Sequence, residues 1–409
     1  MTHVRPGMTG LYDRYREALA DEPLPCAVVD LDAFEANIDT LLAPPKATGK
    51  TLRPASKSIR CVDLLRRIAD RGGDVVRGVM CFAVSEAAWL TEQGFDDLFV
   101  AYPSVQRSDA RTLAELASKG ATVALMVDDV EQLPPLEAAA AEVGAAIPVL
   151  VEVDMSWRPL GGALHVGVRR SPLHSADAVL ALAERIHGSD HLRFRGVMGY
   201  EAQIAGLQDN TPFAPLLNTP KRLLKSLSRQ PVLDLRRAIA AGLAERGIPC
   251  PVYNGGGTGS IHWSPDDDAL TEVTAGSGFV DSHLFDYFVG VDLRPAAFFA
   301  VQAVRRPARD IVTCHGGGWV ASGEAGPDKL PVPWLPDGLA LIDLEGMGEV
   351  QTPLRVPPHV QIALGDPVFF RHAKAGELAE HVTHYLLVRG EEIVDRVPTY
   401  RGSGQCFIG

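Results

Sequence analysis

The chain has 409 residues, of which 46% are hydrophobic and 22% are charged, as is usual for a globular protein with one large and one smaller domain. Its net charge of −12 argues against a nucleic-acid partner, because phosphate backbones are bound by clustered Lys and Arg. The sequence shows no membrane-spanning apolar run, no signal peptide and no paired cysteine motif, so we expect a cytoplasmic protein with no membrane partner.

From residue 24 to residue 288 the chain alternates short apolar runs with amphipathic helical stretches. The predicted strands are 26–31, 79–83, 98–102, 122–127, 148–153, 194–199, 252–254 and 272–274. Apolar runs without period-2 alternation are typical of parallel strands covered on both faces. Repeated strand–helix units predict an α/β fold, a (β/α)8 TIM-type barrel over residues 24–288, with a doubly wound open sheet as the alternative.

The alternation of apolar runs with amphipathic helical stretches ends near residue 289. The stretches 300–304, 338–343, 367–370 and 384–388 have the composition of strands, and Gly- and Pro-rich turns separate them. Helical periodicity is almost absent from this part of the chain. We therefore expect a second, mainly β domain over residues 289–409.

Lys57 lies near the end of a short segment, residues 51–58, in which apolar residues give way to basic ones. This pattern is typical of the end of a barrel strand. Two glycine-rich loops follow late predicted strands, where barrels commonly bind phosphate through exposed backbone N–H groups. Their candidate phosphate-binding residues are Gly256, Gly257, Thr258, Gly276, Ser277 and Gly278. A lysine able to form a Schiff base and a remote phosphate cradle are the minimum for holding pyridoxal 5′-phosphate (PLP). The structural alternative is a solvated lysine and two ordinary turns.

The residues around Lys57 resemble the Arg-Pro-His-x-Lys-Thr motif of the D-threonine aldolase and D-serine dehydratase family, PLP enzymes of the alanine racemase-like fold. Arg53 and Pro54 match the motif, and Ala55 stands where the family has histidine. The resemblance begins at residues 25–38 and ends near residues 365–368 and 385–390. It implies that residues 1–23 pack with residues 289–409 in a domain like that of D-serine dehydratase, and that Lys57 carries the cofactor.

Two further cofactor-binding residues follow from the same resemblance. Tyr200 is similar to the family tyrosine that borders the cofactor ring, although Ala202 and Gln203 replace the usual glycine and histidine. Arg158 is similar to the arginine of the family's Asp-x-Gly-x-x-Arg motif. The alternative for Arg158 is an arginine paired with a carboxylate near the rim of the barrel.

The family also carries a histidine and, two residues later, a cysteine or aspartate that together bind a divalent metal. His372 matches the histidine, but Lys374 occupies the position of the second ligand. A protonated lysine has no lone pair to donate. Either no metal binds, or Glu377 or Glu380 supplies the second ligand. His372 and Lys374 are alternatively a general base or an anchor for the substrate carboxylate.

The resemblance implies a PLP-dependent lyase that acts on small D-3-hydroxy amino acids, by aldol cleavage or by dehydration and deamination. Lys57 and His372 are the candidate catalytic residues, with His372 nearest the substrate hydroxyl. A metal at that hydroxyl would favour either reaction. Loss of the second ligand makes expulsion of hydroxide harder, and this favours aldol cleavage.

Two other functions remain open from the sequence. An amino-acid racemase on the same fold needs a second base on the opposite face of the cofactor ring, and no motif for one is evident. A PLP-binding carrier protein does not need a second domain over the cofactor. The resemblance also implies a head-to-tail homodimer, in which the β domain covers the barrel mouth of the neighbouring subunit.

Overall fold

A computed structural model describes residues 8–408 of the chain, and it contains two separate β-sheets. The strands, in chain order, are β1 Cys26–Asp30, β2 Thr51–Pro54, β3 Val79–Cys81, β4 Leu98–Val100, β5 Val123–Val127, β6 Ile147–Glu152, β7 Leu192–Gly199, β8 Val252–Gly255, β9 Glu272–Ala275, β10 Ala297–Ala308, β11 Ile311–His315, β12 Val332–Leu335, β13 Ala340–Leu341, β14 Gln351–Arg355, β15 Pro367–Arg371, β16 His384–Arg389 and β17 Glu392–Pro398. The α-helices are α1 Met8–Ala18, α2 Leu31–Ala47, α3 Val62–Gly72, α4 Val84–Glu92, α5 Arg107–Ser118, α6 Leu133–Val143, α7 Ala176–His187, α8 Ala202–Ala205, α9 Asn218–Glu245 and α10 Leu378–His381.

The first sheet is a barrel of eight parallel strands, in the order β2-β9-β8-β7-β6-β5-β4-β3. Two parallel bridges, Leu52 to Val76 and Ala55 to Met80, join its two ends. Every residue of β5 and β6 is buried, as expected for strands with the barrel interior on one side and helices on the other. The barrel prediction is therefore confirmed, and the closing bridges exclude an open sheet.

The second sheet has nine strands, and its main path runs β13-β14-β11-β10-β1-β16-β17. Strand β1 lies in its middle, antiparallel to β10 and parallel to β16. The sequence analysis placed this strand in the barrel, and that assignment is wrong. The apolar run of β1 is equally suited to either sheet, and only its distant pairing partners decide where it lies. Strand β2, which carries Lys57 at its end, occupies its place in the barrel.

Helix α1 packs on the second sheet, as the family resemblance implied for the start of the chain. Tyr12 and Tyr15 lie against Phe369, and the ring centroids of Tyr15 and Phe298 are 4.7 Å apart. The Tyr15 hydroxyl also donates a 2.6 Å hydrogen bond to Asp30. Residues 1–7, which were included in the same expectation, lie outside the described residues.

Asp30 also begins the first helix after β1. Its side chain accepts a 2.9 Å hydrogen bond from the Ala33 N–H and so caps α2. Serine, threonine, aspartate and asparagine cap helices in this way because the first N–H groups have no partner inside the helix. Asp30 thereby ties α1, the second sheet and the first barrel-covering helix together.

The end of the chain returns to the barrel beside α4. The Tyr400 hydroxyl donates a 2.9 Å hydrogen bond to the buried carboxyl of Glu86, which also accepts the Phe82 N–H at 2.7 Å. Burial raises the pKa of Glu86 to about 7. Trp89 packs edge-on against Tyr400. Within residues 8–408, no helix combines the length and apolar character needed to cross a membrane.

Candidate active site

Lys57 lies in a short 3-10 turn, Ser56–Ser58, directly after β2 at the mouth of the barrel. Its side chain is exposed, and its Nζ donates a 2.8 Å hydrogen bond to the Tyr102 hydroxyl. Tyr102 follows β4. A strand-end position was the available signal, and the contact with Lys57 could not be inferred from it.

The backbone around Lys57 is fixed by its neighbours. The Ser56 hydroxyl donates to the Met80 carbonyl at 3.0 Å, and the Arg60 Nε donates to the Lys57 carbonyl at 3.0 Å. The Ser58 and Ser277 hydroxyls are 3.2 Å apart, which links this turn to the second glycine loop. A side chain on a turn held at several points is preorganised for chemistry.

Arg53, the arginine of the motif, has a structural role inside the barrel. Its guanidinium is 1% exposed and makes two hydrogen bonds to Glu272, at 2.7 and 2.9 Å. It also lies over the Phe99 ring, 4.6 Å from the centroid. Because Glu272 belongs to β9, this ion pair fastens the strand that leads to Lys57 to the strand that leads to the second glycine loop.

Both glycine loops reach the same cavity as Lys57. Gly256, Gly257 and Thr258 follow β8, and Gly276 and Ser277 follow β9. A Cβ atom on Gly257 would lie 3.1 Å from the Tyr200 ring. A Cβ atom on Gly276 would lie 2.8 Å from the Ser58 hydroxyl. The absence of side chains therefore leaves the backbone itself on the cavity wall, as a phosphate cradle requires.

Gly278, the sixth predicted phosphate-binding residue, lies one step behind this wall. Its N–H donates to the Thr258 hydroxyl at 3.0 Å, and a Cβ atom would lie 2.7 Å from the Thr258 methyl group. Gly278 thus joins the two loops and does not line the cavity.

The cavity itself has a volume of about 440 Å³. Its polar lining comes from the strand ends of the barrel and from the second domain, and includes Lys57, Tyr102, Arg170, Tyr200, Asn254, Thr274, Ser322, Lys374 and Glu377. Leu284, Phe285 and Phe288 provide an apolar side. The mixture of a few convergent polar groups with an apolar wall is typical of a small-molecule site.

Tyr200 lies on the cavity wall, as predicted. Burial raises the pKa of its hydroxyl to about 12, so that it remains a neutral hydrogen-bonding group at physiological pH. The Arg170 guanidinium lies 5.6 Å from the centroid of the Tyr200 ring. The sequence analysis did not identify Arg170, which stands in an irregular segment between β6 and α7 without a motif of its own.

Arg158, the predicted cofactor-binding arginine, lies elsewhere. It forms a 2.7 Å ion pair with Asp154 and lines a separate cavity with Trp157 and Pro231. The structure therefore agrees with the alternative in which Arg158 pairs with a carboxylate near the rim. Arg158 lies four positions after Asp154, and in this loop that spacing brings the two charged side chains together.

Glu201 organises the first glycine loop from behind. Its buried carboxylate accepts hydrogen bonds from the Gly256 N–H at 3.1 Å, the Ser260 hydroxyl at 2.9 Å and the Ser264 hydroxyl at 2.5 Å. Arg236 forms a 2.5 Å ion pair with the same carboxylate. Burial alone would raise the pKa of Glu201, but Arg236 and these hydrogen bonds hold it below its ordinary value. No motif in the sequence indicates this role for Glu201.

His372, the predicted catalytic residue and metal ligand, does not lie on the cavity wall. Its ring is fully buried, and its Nε2 is 2.9 Å from the Ala375 carbonyl oxygen. Burial lowers the pKa of His372 to about 3. The physical reason for the difference is the turn after β15, which folds the Ala375 carbonyl back onto the ring. Since a carbonyl only accepts a hydrogen bond, Nε2 carries the proton, and the lone pair of the ring is left on Nδ1. Nδ1 is buried without a hydrogen-bond partner among the described residues, and His372 does not line the cavity, so this lone pair is not presented to the site.

Lys374 lies on the cavity wall, at the position where the family places a second metal ligand. Its Nζ donates a 2.7 Å hydrogen bond to the Ser322 hydroxyl. Glu377, on the same wall, accepts the Ser322 N–H with both carboxylate oxygens at 3.2 Å. These groups belong to the second domain, so the barrel and the second domain both contribute to the site.

The side chains in this region do not fit a divalent metal. His372 is turned away, and Lys374 cannot donate a lone pair while it is protonated. Glu380, one of the two alternative ligands, forms ion pairs with Arg60 and Arg401. Among the residues that the structure describes, no three His, Cys, Asp or Glu side chains are grouped to hold a metal ion.

The second domain packs directly against the turn that carries Lys57. Gly376 approaches so closely that a Cβ atom there would lie 1.7 Å from the Lys57 carbonyl oxygen. Only glycine allows this contact between the two backbones. The loop that carries Lys374 and Glu377 is therefore seated on the backbone of Lys57 itself.

Comparison with known proteins gives relatives that include aldolases and a D-threo-3-hydroxyaspartate dehydratase. The chain is 29% identical to the D-threonine aldolase of an Arthrobacter species over 320 residues, which is 77% of this chain and 76% of that protein. It is 30% identical to the 3-hydroxy-D-aspartate aldolase of Paracoccus denitrificans over 259 residues, 63% of this chain and 60% of that protein. The crystal structure of D-threonine aldolase from Filomicrobium marinum superposes with a TM-score of 0.77 at 24% identity, covering 94% of this chain and 96% of that one.

The family comparison agrees with the architecture. The alanine racemase N-terminal domain family matches residues 29–280, which include all eight barrel strands, Lys57 and both glycine loops. This match spans more than half of the chain, and the chain therefore belongs to the alanine racemase N-terminal domain family.

Proposed function

We propose that this chain is a PLP-dependent lyase that acts on small D-3-hydroxy amino acids, and that its reaction is aldol cleavage. The observation that carries the proposal is that the Lys57 amine and the two glycine loops share one cavity. Two of the matched relatives, a D-threonine aldolase and a 3-hydroxy-D-aspartate aldolase, support the reaction and the substrate class. A third, a D-threo-3-hydroxyaspartate dehydratase, supports the substrate class alone.

The residues of the cavity fit PLP. Lys57 offers an amine for the cofactor aldehyde, and the backbone of the second glycine loop at Gly276 and Ser277 offers a cradle for its phosphate. Gly256 and Gly257 shape the opposite wall, because their N–H groups donate to Glu201 and to the Ser260 hydroxyl. Tyr200 stands on the wall beside them. When bound, PLP supplies a conjugated ring that accepts the negative charge left on the substrate α-carbon.

Lys57 has two tasks in this proposal. Its amine would hold the cofactor covalently, and once a substrate amine had taken its place, it would be free to deliver a proton to the α-carbon. The Tyr102 hydroxyl, 2.8 Å from Nζ, orients that amine. The second-domain loop, fixed at Gly376, forms the cavity wall beside the Lys57 turn.

The choice between aldol cleavage and dehydration depends on the fate of the substrate hydroxyl. Dehydration expels the hydroxyl group, a poor leaving group that benefits from a metal or another strong acid. Aldol cleavage requires only that the hydroxyl lose its proton as the Cα–Cβ bond breaks. The side chains near Lys374 do not fit a metal, which supports aldol cleavage.

The experiment that tests the proposal compares Lys57→Ala with the parent and with Lys46→Ala, an exposed lysine on α2. Each protein is purified with PLP, its visible absorbance is recorded, and D-threonine is added. We expect the parent and Lys46→Ala to show the absorbance of a lysine-bound cofactor and to release acetaldehyde and glycine. We expect Lys57→Ala to do neither.

The products separate the alternatives. A yellow Lys57→Ala protein would refute the role of the lysine. Formation of 2-oxobutanoate in place of acetaldehyde would identify a dehydratase, and inversion at the α-carbon without a carbonyl product would identify a racemase. We also propose a homodimer, on the strength of the resemblance to the family alone, and light scattering of the purified protein measures it.

A further inference from the structure

Lys374 is a cation of the cavity wall that forms no ion pair with the described residues, although the Glu377 carboxylate lies on the same turn. It is half-buried, and within the described chain no carboxylate oxygen lies within the 4.0 Å of an ion pair. Its hydrogen-bond partner is the neutral Ser322 hydroxyl, at 2.7 Å. A lysine that is partly removed from water usually lies beside a carboxylate, because desolvation of the ammonium is otherwise costly.

The charges that face Lys374 come from three parts of the chain. Burial lowers the pKa of Lys374, Glu377 on the same turn opposes this effect, and Lys329 and Lys57 add to it. Lys329 forms its own ion pair with Asp328. Glu377 directs both carboxylate oxygens to the Ser322 N–H. The space in front of Lys374 therefore favours a negatively charged ligand.

The hydrogen bonds at Lys374 leave donors for such a ligand. An ammonium has three N–H groups, and Ser322 accepts from one of them. The Ser322 oxygen acts as acceptor in this contact, so its own O–H remains available to donate. An ammonium and a hydroxyl side by side match the two oxygens of a carboxylate.

The position of this pair relative to Lys57 indicates which carboxylate it meets. The Lys374 turn rests on the Lys57 backbone through Gly376, and both amines open into the same cavity. An amino acid whose nitrogen reacts at the Lys57 position carries its α-carboxylate on the adjacent carbon. We propose that the Lys374 ammonium and the Ser322 hydroxyl bind the α-carboxylate of the substrate. This inference rests on the proposed function and assigns a binding role to a residue that cannot be a metal ligand.

The test uses two ligands that differ only in the carboxylate. D-alanine has the amine and the carboxylate but no β-hydroxyl to cleave, and D-alaninol has a neutral alcohol in place of the carboxylate. Dissociation constants are measured from the change in the visible spectrum of the PLP-loaded protein. The proteins are the parent, Lys374→Gln, and Lys329→Gln as a control that removes a neighbouring charge behind the cavity wall.

We expect the parent to prefer D-alanine, and Lys374→Gln to reduce this preference by about 10- to 100-fold, the range of one charge-assisted hydrogen bond. Lys329→Gln should leave the preference within about twofold, because the Lys329 ammonium is already paired with Asp328 and does not line the cavity. Lys374→Arg should retain part of the preference because it keeps the cation. Ser322→Ala, a milder change, should reduce it by about threefold, near the lower limit for a neutral hydrogen bond.

Three results would overturn the inference while leaving the lyase intact. In the first, the preference for D-alanine is unchanged in Lys374→Gln. In the second, activity falls only with 3-hydroxy-D-aspartate, which would place its β-carboxylate at Lys374. In the third, Lys374→Gln and Lys374→Arg both lose kcat for D-threonine with unchanged KM, which would make the lysine a proton carrier. A parent protein that binds no PLP would instead refute the proposed function, and the inference with it.

Discussion

The buried ion pair behind the first glycine loop provides a quantitative test of the structure. Glu201 and Arg236 are both 0% exposed, and the ion-pair distance is 2.5 Å. Glu201→Gln keeps the shape of the side chain but removes its charge. Arg236 then retains only Asp267, at 3.1 Å, as an anionic partner. Removing one member of a buried pair costs about 3 to 5 kcal/mol, because the remaining charge stays desolvated.

The chain contains a matched control with the same residue types at the same distance. Glu184 and Arg246 also form a 2.5 Å ion pair, but their side chains are 53% and 36% exposed. Water and salt screen this pair, so Glu184→Gln should cost less than about 1 kcal/mol. The two variants therefore separate the effect of burial from the effect of geometry.

The assay is urea unfolding of both variants and the parent in the absence of PLP, followed by measurement of PLP affinity. We expect the free energy of unfolding to fall by about 3 to 5 kcal/mol for Glu201→Gln and to change little for Glu184→Gln. PLP affinity should fall about tenfold only for Glu201→Gln, because its carboxylate holds the Gly256 N–H. Equal losses of stability in the two variants would refute the reasoning.

Three other predictions address the site and its surroundings. Tyr102→Phe should retain PLP but lower kcat/KM for D-threonine by up to about tenfold, because it loses one hydrogen bond to Lys57. An unchanged kcat/KM would show that Tyr102 has no role in orienting Lys57. Dialysis against a chelator should leave activity unchanged because the donor set does not fit a metal, and loss with recovery on adding Mn²⁺ would contradict this. The pKa of Glu86 is raised to about 7, so the unfolded chain loses this proton at a lower pH than the folded protein, and the stability of the parent should fall as the pH rises from about 4.5 to 7. Glu86→Gln lacks this titration and should gain stability relative to the parent over the same interval. Parallel curves of unfolding free energy against pH for the two proteins would contradict this prediction.

The features that could be predicted from the sequence are those whose chemistry is local. A strand followed by Lys57, and two strands followed by glycines, point to the same end of a barrel because parallel strands share one direction. The structure brings Lys57, Gly256 and Gly276 to one cavity, as this reasoning required. Tyr200 follows the same rule at the end of β7.

The features that could not be predicted depend on contacts between distant segments. Arg158 and Arg170 stand in the same irregular segment, and only its path decides that Arg170 reaches the cavity while Arg158 pairs with Asp154. His372 matches a motif, yet the turn to Ala375 directs its ring inward. A match to a motif therefore indicates where the backbone of a residue lies, but it does not determine the direction in which the side chain points.

The central place of β1 in the second sheet has a consequence for biosynthesis. Cys26 pairs with Ala300 and Ala27 with Tyr385, so a strand made among the first must wait for partners made among the last. Meanwhile the intervening residues can assemble the whole barrel around Lys57. Both edges of this apolar strand are unpaired until the ribosome has released β10, and one edge stays unpaired until β16 follows; such edges are templates for aggregation. We expect the nascent chain to depend on chaperones for β1, far more than for the barrel.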